Sequence, residues 1–143
     1  EEKEFLKLGR EILSGNNKQD RTGTGTLSLF GKQLTFDLKN NTFPLLTTRK
    51  MFFRGIFEEL MLFIRGQTDS SILENKNVNI WKGNTSEEFL KSRGLNLPPG
   101  DMGPSYGFLF RHFGDKYKTC KDIYTGGIDQ LYNVINTIKT NPS

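Results

Sequence analysis

The chain of 143 residues has one cysteine, one histidine and one tryptophan. A single cysteine excludes an internal disulfide framework and suits a reducing compartment, so a cytoplasmic location is the expectation. One histidine beside one cysteine offers no ligand spacing of the zinc type, and no metal is expected. No apolar run approaches the roughly 18 residues that read as a membrane span, so no membrane partner is expected. The opening Glu1-Glu2-Lys3-Glu4 is charged and has no signal-peptide pattern. Repeats and low-complexity stretches are missing. So are a dense Lys/Arg stripe and any known nucleic-acid motif, which speaks against RNA binding. What is present argues for a folded domain: twelve Phe and 34% hydrophobic residues are far from a disordered composition. The net charge of +4 fits an anionic ligand and equally an ordinary soluble surface.

Residues 3–15 read as an amphipathic helix, with Phe5, Leu8 and Ile12 at i, i+3 and i+7 and with Leu6 and Leu13 beside them. Gly15 and Asn16 supply the stop. Leu27 to Leu38 reads as extended chain, in which Leu34, Phe36 and Leu38 alternate with polar neighbours. Lys39-Asn40-Asn41 signals a turn, and Phe43 to Thr48 is extended again. Residues 51–66 carry the strongest helix pattern, apolar over most of the circumference, which predicts a buried helix. Ser71-Ile72-Leu73-Glu74 and Thr85-Ser86-Glu87-Glu88 match the capping-box spacing and predict two short helices, the second ending at Gly94. Residues 114–127 look irregular. Ile128, Leu131, Ile135 and Ile138 mark a last amphipathic helix that Pro142 closes. Helices with a few extended segments give an α+β class.

Three places carry candidate chemistry. In Asp20-Arg21-Thr22-Gly23-Thr24-Gly25-Thr26, glycines let backbone N–H groups approach a ligand, and the Arg21 fork matches phosphate geometry. The Gly-Lys-Ser/Thr ending of a Walker loop is missing, and a plain Gly-rich turn before a strand fits the same residues. Projected on a helix, Phe53, Ile56, Phe57, Leu60, Phe63 and Ile64 form one stripe. Glu58 falls opposite it and pairs with Arg54 at i, i+4, as a solvated charge would. Glu59 falls at the stripe's edge, half withdrawn from water, where a carboxylate suits proton transfer; a boundary glutamate whose head reaches water fits too. Trp81 is core or a stacking surface for a ring. Tyr106, at the end of the turn Asp101-Met102-Gly103-Pro104-Ser105-Tyr106-Gly107, presents its hydroxyl to a site or packs. His112 reads as structural, and Cys120, in an exposed lysine-rich loop, as a bystander thiol.

Taken in order, seven stretches are specific as a set. They are Asp20 to Thr26, Phe43-Pro44-Leu45-Leu46-Thr47-Thr48, Glu58-Glu59-Leu60 with Phe63-Ile64-Arg65-Gly66, Ile80-Trp81, Gly103-Pro104 with Tyr106-Gly107, Arg111-His112-Phe113-Gly114, and Asp129-Gln130-Leu131. From about Phe5 to Pro142 the chain resembles the thymidylate synthases. The resemblance implies that residues 1–143 are the N-terminal half of one such domain, with helices packed on a mixed β-sheet that this chain holds incompletely. It implies reductive methylation of dUMP to dTMP with 5,10-methylenetetrahydrofolate as co-substrate, in a homodimer when full length. Asn40-Asn41-Thr42-Phe43-Pro44-Leu45-Leu46-Thr47-Thr48 looks like the synthase part of chains fused to dihydrofolate reductase. By resemblance, Arg21 would bind the nucleotide phosphate, and Glu59 would organise water and protons at the pyrimidine and the folate. Ile80, Trp81 and Asn84, with Phe52 nearby, would border the folate ring. Arg49 would reach its glutamate tail, and Tyr106 would take part in removing the ring proton.

The chain departs from that pattern at several positions. Lys82 replaces the usual Asp, Leu62 a usual Trp, and Ser105, Leu109 and Phe110 the common Val, Gln and Trp, which bears on folate packing. Asn141-Pro142-Ser143 falls just before the family's paired arginines, and its Pro-Cys-His nucleophile segment is not in this sequence, so the 143 residues by themselves are expected to be inactive. Two other functions stay open at this point: a pyrimidine hydroxymethylase of the same fold, and a non-catalytic RNA-binding fragment.

Overall fold

The computed structural model describes residues 1–20 and 23–142. Arg21, the expected phosphate ligand, lies outside the described residues, as do Thr22 and Ser143. The chain is α+β: six α-helices and one small antiparallel sheet among the described residues. It divides into two compact units, 1–51 and 52–143.

The first unit opens with helix α1 (Glu2–Ile12), where Glu2 and Glu4 sit in the first turn and Arg10 in the last, as the helix dipole favours. Strands β1 (Asn16–Lys18) and β2 (Thr26–Ser28) pair antiparallel, with Asn16 opposite Ser28. The extended run expected to Leu38 pairs only as far as Ser28, because its partner strand is three residues long. The Lys39–Asn41 turn is a 3-10 turn, with Asn40 and Asn41 both at φ 57. Residues 43–48 form no strand; a side chain holds them instead. The Glu2 carboxylate accepts the N–H of Thr48 at 2.8 Å, along with the N–H and hydroxyl of Thr47. Those Thr47 bonds come first among the causes that hold the Glu2 carboxyl below its usual range. None of the described residues in this unit is buried.

The second unit carries α2 (Phe53–Ile64), α3 (Ser71–Glu74), α4 (Glu87–Ser92), α5 (Tyr106–Arg111) and α6 (Gln130–Thr140). Its core is Leu62, Phe63, Leu73 and Val78, with Ile72, Trp81, Met102 and Phe110 packed against it. Helices α2 and α4 end alike. Gly66 and Gly94, at φ +73 and +66, let the next N–H turn back, Gln67 to the carbonyl of Leu62 and Leu95 to that of Leu90. Gly107 lets α5 approach residues 66–67 closely; a Cβ there would run into the Gln67 carbonyl oxygen. Arg111 then ties three helices together. Its Nη1 donates to the Ile64 carbonyl at 3.0 Å, and its Nε to the carboxylate of Asp129 at 2.9 Å. Asp129 in turn caps α6 by accepting the Tyr132 N–H at 2.8 Å.

Several expectations change here. The apolar surface of α2 is not wholly buried: Gly55, Leu62 and Phe63 are, whereas Ile56, Phe57 and Leu60 are 45–50% exposed. Its packing partners α3 and α5 lie along the Leu62–Phe63 side. Glu58 pairs with Lys76, not with Arg54, whose guanidinium donates to the carbonyls of Lys76 and Asn77. Ser71 does not start a capping box. Asp69 Oδ1 accepts its N–H at 3.0 Å and its hydroxyl at 2.6 Å, which leaves Ser70 as the helix cap. The cap of α4 is Ser86, one residue after the expected Thr85, and its Oγ accepts the Phe89 N–H at 3.2 Å. Tyr106 opens a helix rather than closing a turn.

Candidate functional site

Glu59 sits in the second turn of α2, half-buried, and its Oε1 accepts the indole N–H of Trp81 at 2.6 Å. The turn carrying Trp81 is fixed at its carbonyl, which takes the N–H of Asn84 at 3.0 Å, the N–H of Thr85 at 3.1 Å and the Thr85 hydroxyl at 3.0 Å. Thr85 is buried and meets the Ser70 hydroxyl at 2.8 Å. The indole thus packs on the core and points its one donor at the carboxylate. Of the two readings of Trp81, the packing on the core is what the structure shows. Ile80, 48% exposed, and the exposed Asn84 flank it.

Phe63 lies one helical turn beyond Glu59 on the same face of α2. The Tyr106 ring stands edge-on to Phe63, with centroids 5.4 Å apart and planes at 61°, and stays exposed at the start of α5. One face of α2 thereby carries Glu59 and, through Phe63, Tyr106. Phe52 caps the start of α2, exposed, with the Arg54 guanidinium 5.5 Å above its ring. Arg49 belongs to the first unit, where it lines a shallow hollow with Phe5, Leu46, Thr48 and Met51.

Cys120 is a poor nucleophile as placed. Burial, and then the carboxylates of Asp101 and Asp69, push its thiol up to about 11. The His112 Nδ1 lies 3.1 Å from the Gly126 carbonyl, to which it can only donate, and its ring packs beside Phe108 and Tyr124; that is a structural role. Lys82, the departure after Trp81, is exposed and pairs with Glu74 at 3.7 Å. Among the described residues no three His, Cys, Asp or Glu side chains group as metal ligands, and no helix is long and apolar enough to cross a membrane.

One polar centre escaped the sequence. Asp101 is completely buried, and its carboxylate accepts from Gly103 N–H at 2.7 Å, Tyr117 hydroxyl at 2.6 Å and Cys120 N–H at 2.7 Å. Beside it, Lys121 pairs with Asp69. Burial opposes ionisation of Asp69, but the bonds from Lys121 and Ser71 outweigh it and leave its carboxyl below the usual range. The signal for Asp101 was an Asp two residues before a Gly, which reads as a local turn and says nothing of the two long-range donors.

The family model described as thymidylate synthase matches residues 3–143. The chain belongs to the thymidylate synthase family. Among its relatives, the thymidylate synthase of Saccharomyces cerevisiae is 55% identical over 146 residues, covering 99% of this chain and 48% of that protein. "Thymidylate synthase 1/2" of Encephalitozoon cuniculi is 51% identical over 144 residues, covering 99% of this chain and 49% of the relative. The bifunctional dihydrofolate reductase-thymidylate synthase of Leishmania major is 50% identical over 146 residues, covering all of this chain and 28% of the relative. The chain spans about half the length of the Saccharomyces cerevisiae and Encephalitozoon cuniculi relatives.

Proposed function

We propose that the full-length protein is a thymidylate synthase, converting dUMP to dTMP with 5,10-methylenetetrahydrofolate. Beyond the family match, the observation that carries this reading is the Glu59 carboxylate held by the Trp81 indole at 2.6 Å, beside Ile80 and Asn84. An ionisable oxygen next to an aromatic wall, an exposed aliphatic and an amide is the chemistry that a pterin-like ring with polar edges asks of a protein. Glu59 organises water and protons there. Tyr106, whose ring meets Phe63 one helical turn from Glu59, works on the ring proton. Ile80, Trp81, Asn84 and Phe52 border the folate, and Arg49 takes its anionic tail. Arg21 holds the phosphate of dUMP, for which the forked guanidinium and the glycines at positions 23 and 25 are suited. The nucleophilic thiol is not Cys120, with its thiol up at about 11; we assign it to a part of the protein outside these 143 residues.

The protein is further read as a cytoplasmic homodimer. Relatives with a fused dihydrofolate reductase, at 50% and 54% identity, support that fusion as a second architecture. Relatives named thymidylate synthase favour methyl transfer over hydroxymethyl transfer. Calorimetric titration of the full-length protein with dUMP tests the reading: binding is expected, and Arg21→Ala is expected to abolish it. RNA binding with a steep salt slope and no response to dUMP would replace the enzyme with a nucleic-acid-binding protein. Chromatography of the reaction product separates dTMP from the hydroxymethylated nucleotide.

A further inference from the structure

Tyr106 is held from two sides. Its ring meets Phe63, as described, and its backbone follows directly on the segment 100–105. That segment is pinned on one side by main-chain bonds. Met102 N–H donates to the Thr68 carbonyl at 2.9 Å, Ser70 N–H to the Gly100 carbonyl at 2.8 Å, and Gly100 N–H to the Thr85 carbonyl at 2.8 Å. Its other side is fixed by a side chain. Asp101 Oδ1 holds the Gly103 N–H, and Gly103 takes φ +68, the turn that sends the chain toward Pro104 and Tyr106. The Ser105 N–H then donates to the Gly103 carbonyl at 2.7 Å, so the orientation at Gly103 passes to the cap of α5, the residue next to Tyr106.

The same carboxylate gathers the loop after α5. The Tyr117 phenol has one proton, which Asp101 Oδ1 takes; the phenol oxygen, 2.9 Å from Thr68 Oγ1, therefore accepts the threonine proton. Asp101 Oδ2 takes the Cys120 N–H. A carboxylate with no exposure and three donors is a costly thing to build, since each donor left unpaired would go uncompensated. Gly103 leads to Tyr106, and Tyr117 and Cys120 hold the loop against it.

We propose that Asp101 is a positioning residue for Tyr106: it sets the 101–105 turn through Gly103 and braces that turn through Tyr117 and Cys120. This rests on the reading above in which Tyr106 acts on the pyrimidine ring. A shift of about 1 Å set up away from the chemistry costs on the order of a hundredfold in rate, so the brace is felt in turnover rather than in substrate capture.

The test is a double-mutant cycle in the full-length enzyme, measuring kcat, KM for dUMP and thermal melting. Asp101→Asn keeps the shape but turns one acceptor into a donor facing a donor. It is expected to lower kcat by about ten- to a hundredfold while KM changes by less than about twofold. In a Tyr106→Phe background the same change is expected to cost no more than about twofold further, because it acts through the missing hydroxyl. Losses that multiply in the double variant, or a KM that rises with kcat intact, overturn the proposal. If Asp101→Asn does not yield folded protein, Tyr117→Phe gives the answer: it removes one donor and leaves the other two. A several-fold loss of kcat that vanishes in the Tyr106→Phe background supports the proposal, and unchanged kcat in a folded Tyr117→Phe variant overturns it. Failure of the underlying reading looks different: Tyr106→Phe alone would then leave kcat unchanged.

Discussion

Glu58 and Glu59 are neighbours in sequence with unlike surroundings. Lys76 takes the first and the Trp81 indole the second. Replacing Glu59 with Gln keeps the shape and an acceptor but removes the charge and the proton site. In the full-length protein, dissociation constants for dUMP should stay nearly unchanged while turnover falls about a hundredfold, the scale of general acid–base contributions. A steady-state assay with unaltered turnover removes Glu59 from the mechanism. The sequence separated these two residues by helical phase alone, and the geometry keeps them apart, although the partner foreseen for Glu58 was the wrong cation. At Asp101 the sequence was silent, because Tyr117 and Cys120 reach it from 16 and 19 residues away. Around it, burial first and Asp101 second hold the Tyr117 phenol well above its ordinary value, and the bond to Asp69 raises Lys121. With Cys120 at about 11, all three groups hold their protons longer folded than unfolded. Stability is therefore full below the unfolded thiol value of 9.0 and is lost as pH rises through about 11. Melting temperatures between pH 8 and 11 should fall, and Cys120→Ser should flatten part of that fall; a level profile would contradict the assignment.

Serines stand at the caps of α3, α4 and α5, and of these three only Ser86 caps with its side chain. Ser86 Oγ accepts the Phe89 N–H at the start of α4, whereas Ser105 Oγ at the start of α5 is buried with no protein partner. Ser86→Ala should cost about 1 kcal/mol of stability. Ser105→Ala should be neutral or stabilising, since a buried hydroxyl without a partner is itself a penalty of about 1 kcal/mol or more. Chemical denaturation of the two variants decides; equal losses would show that Ser105 caps after all. Sequence spacing recovered α1, α2, α3, α4 and α6, because their apolar repeats, capping patterns or stop residues are local, although the box foreseen at Ser71 does not form. It missed α5, since Gly103-Pro104 reads as a turn and the helix that follows is only six residues long. The extended segments fared worst: strand identity depends on a partner, and beyond Ser28 the first unit supplies none among the described residues.

The α+β class and the family were legible in the string, but the distribution of apolar surface was not. Periodicity finds an apolar face without telling what packs on it. Ile56, Phe57 and Leu60 on α2 remain about half exposed, and α6 buries no residue, with Val134 and Ile138 more than half exposed. Exposed apolar faces of that kind mark interaction surfaces. Expressed alone, the 143 residues should bind a hydrophobic dye and associate with rising concentration in sedimentation experiments. A monodisperse, dye-silent monomer would show these faces to be satisfied. The loop after α5 is closed at its base by the paired bonds of Phe113 and Ile128, at 3.0 and 2.9 Å, and gripped on its inner arm at Tyr117 and Cys120. Its tip at Ile123 is 92% exposed. Extra residues spliced in beside Ile123 would therefore hang outward without loosening either grip, while a single residue added between Tyr117 and Cys120 would pull one of them off the buried acid. Length can vary across homologous chains on the outer arm of this loop, and the inner arm is bound to a fixed count.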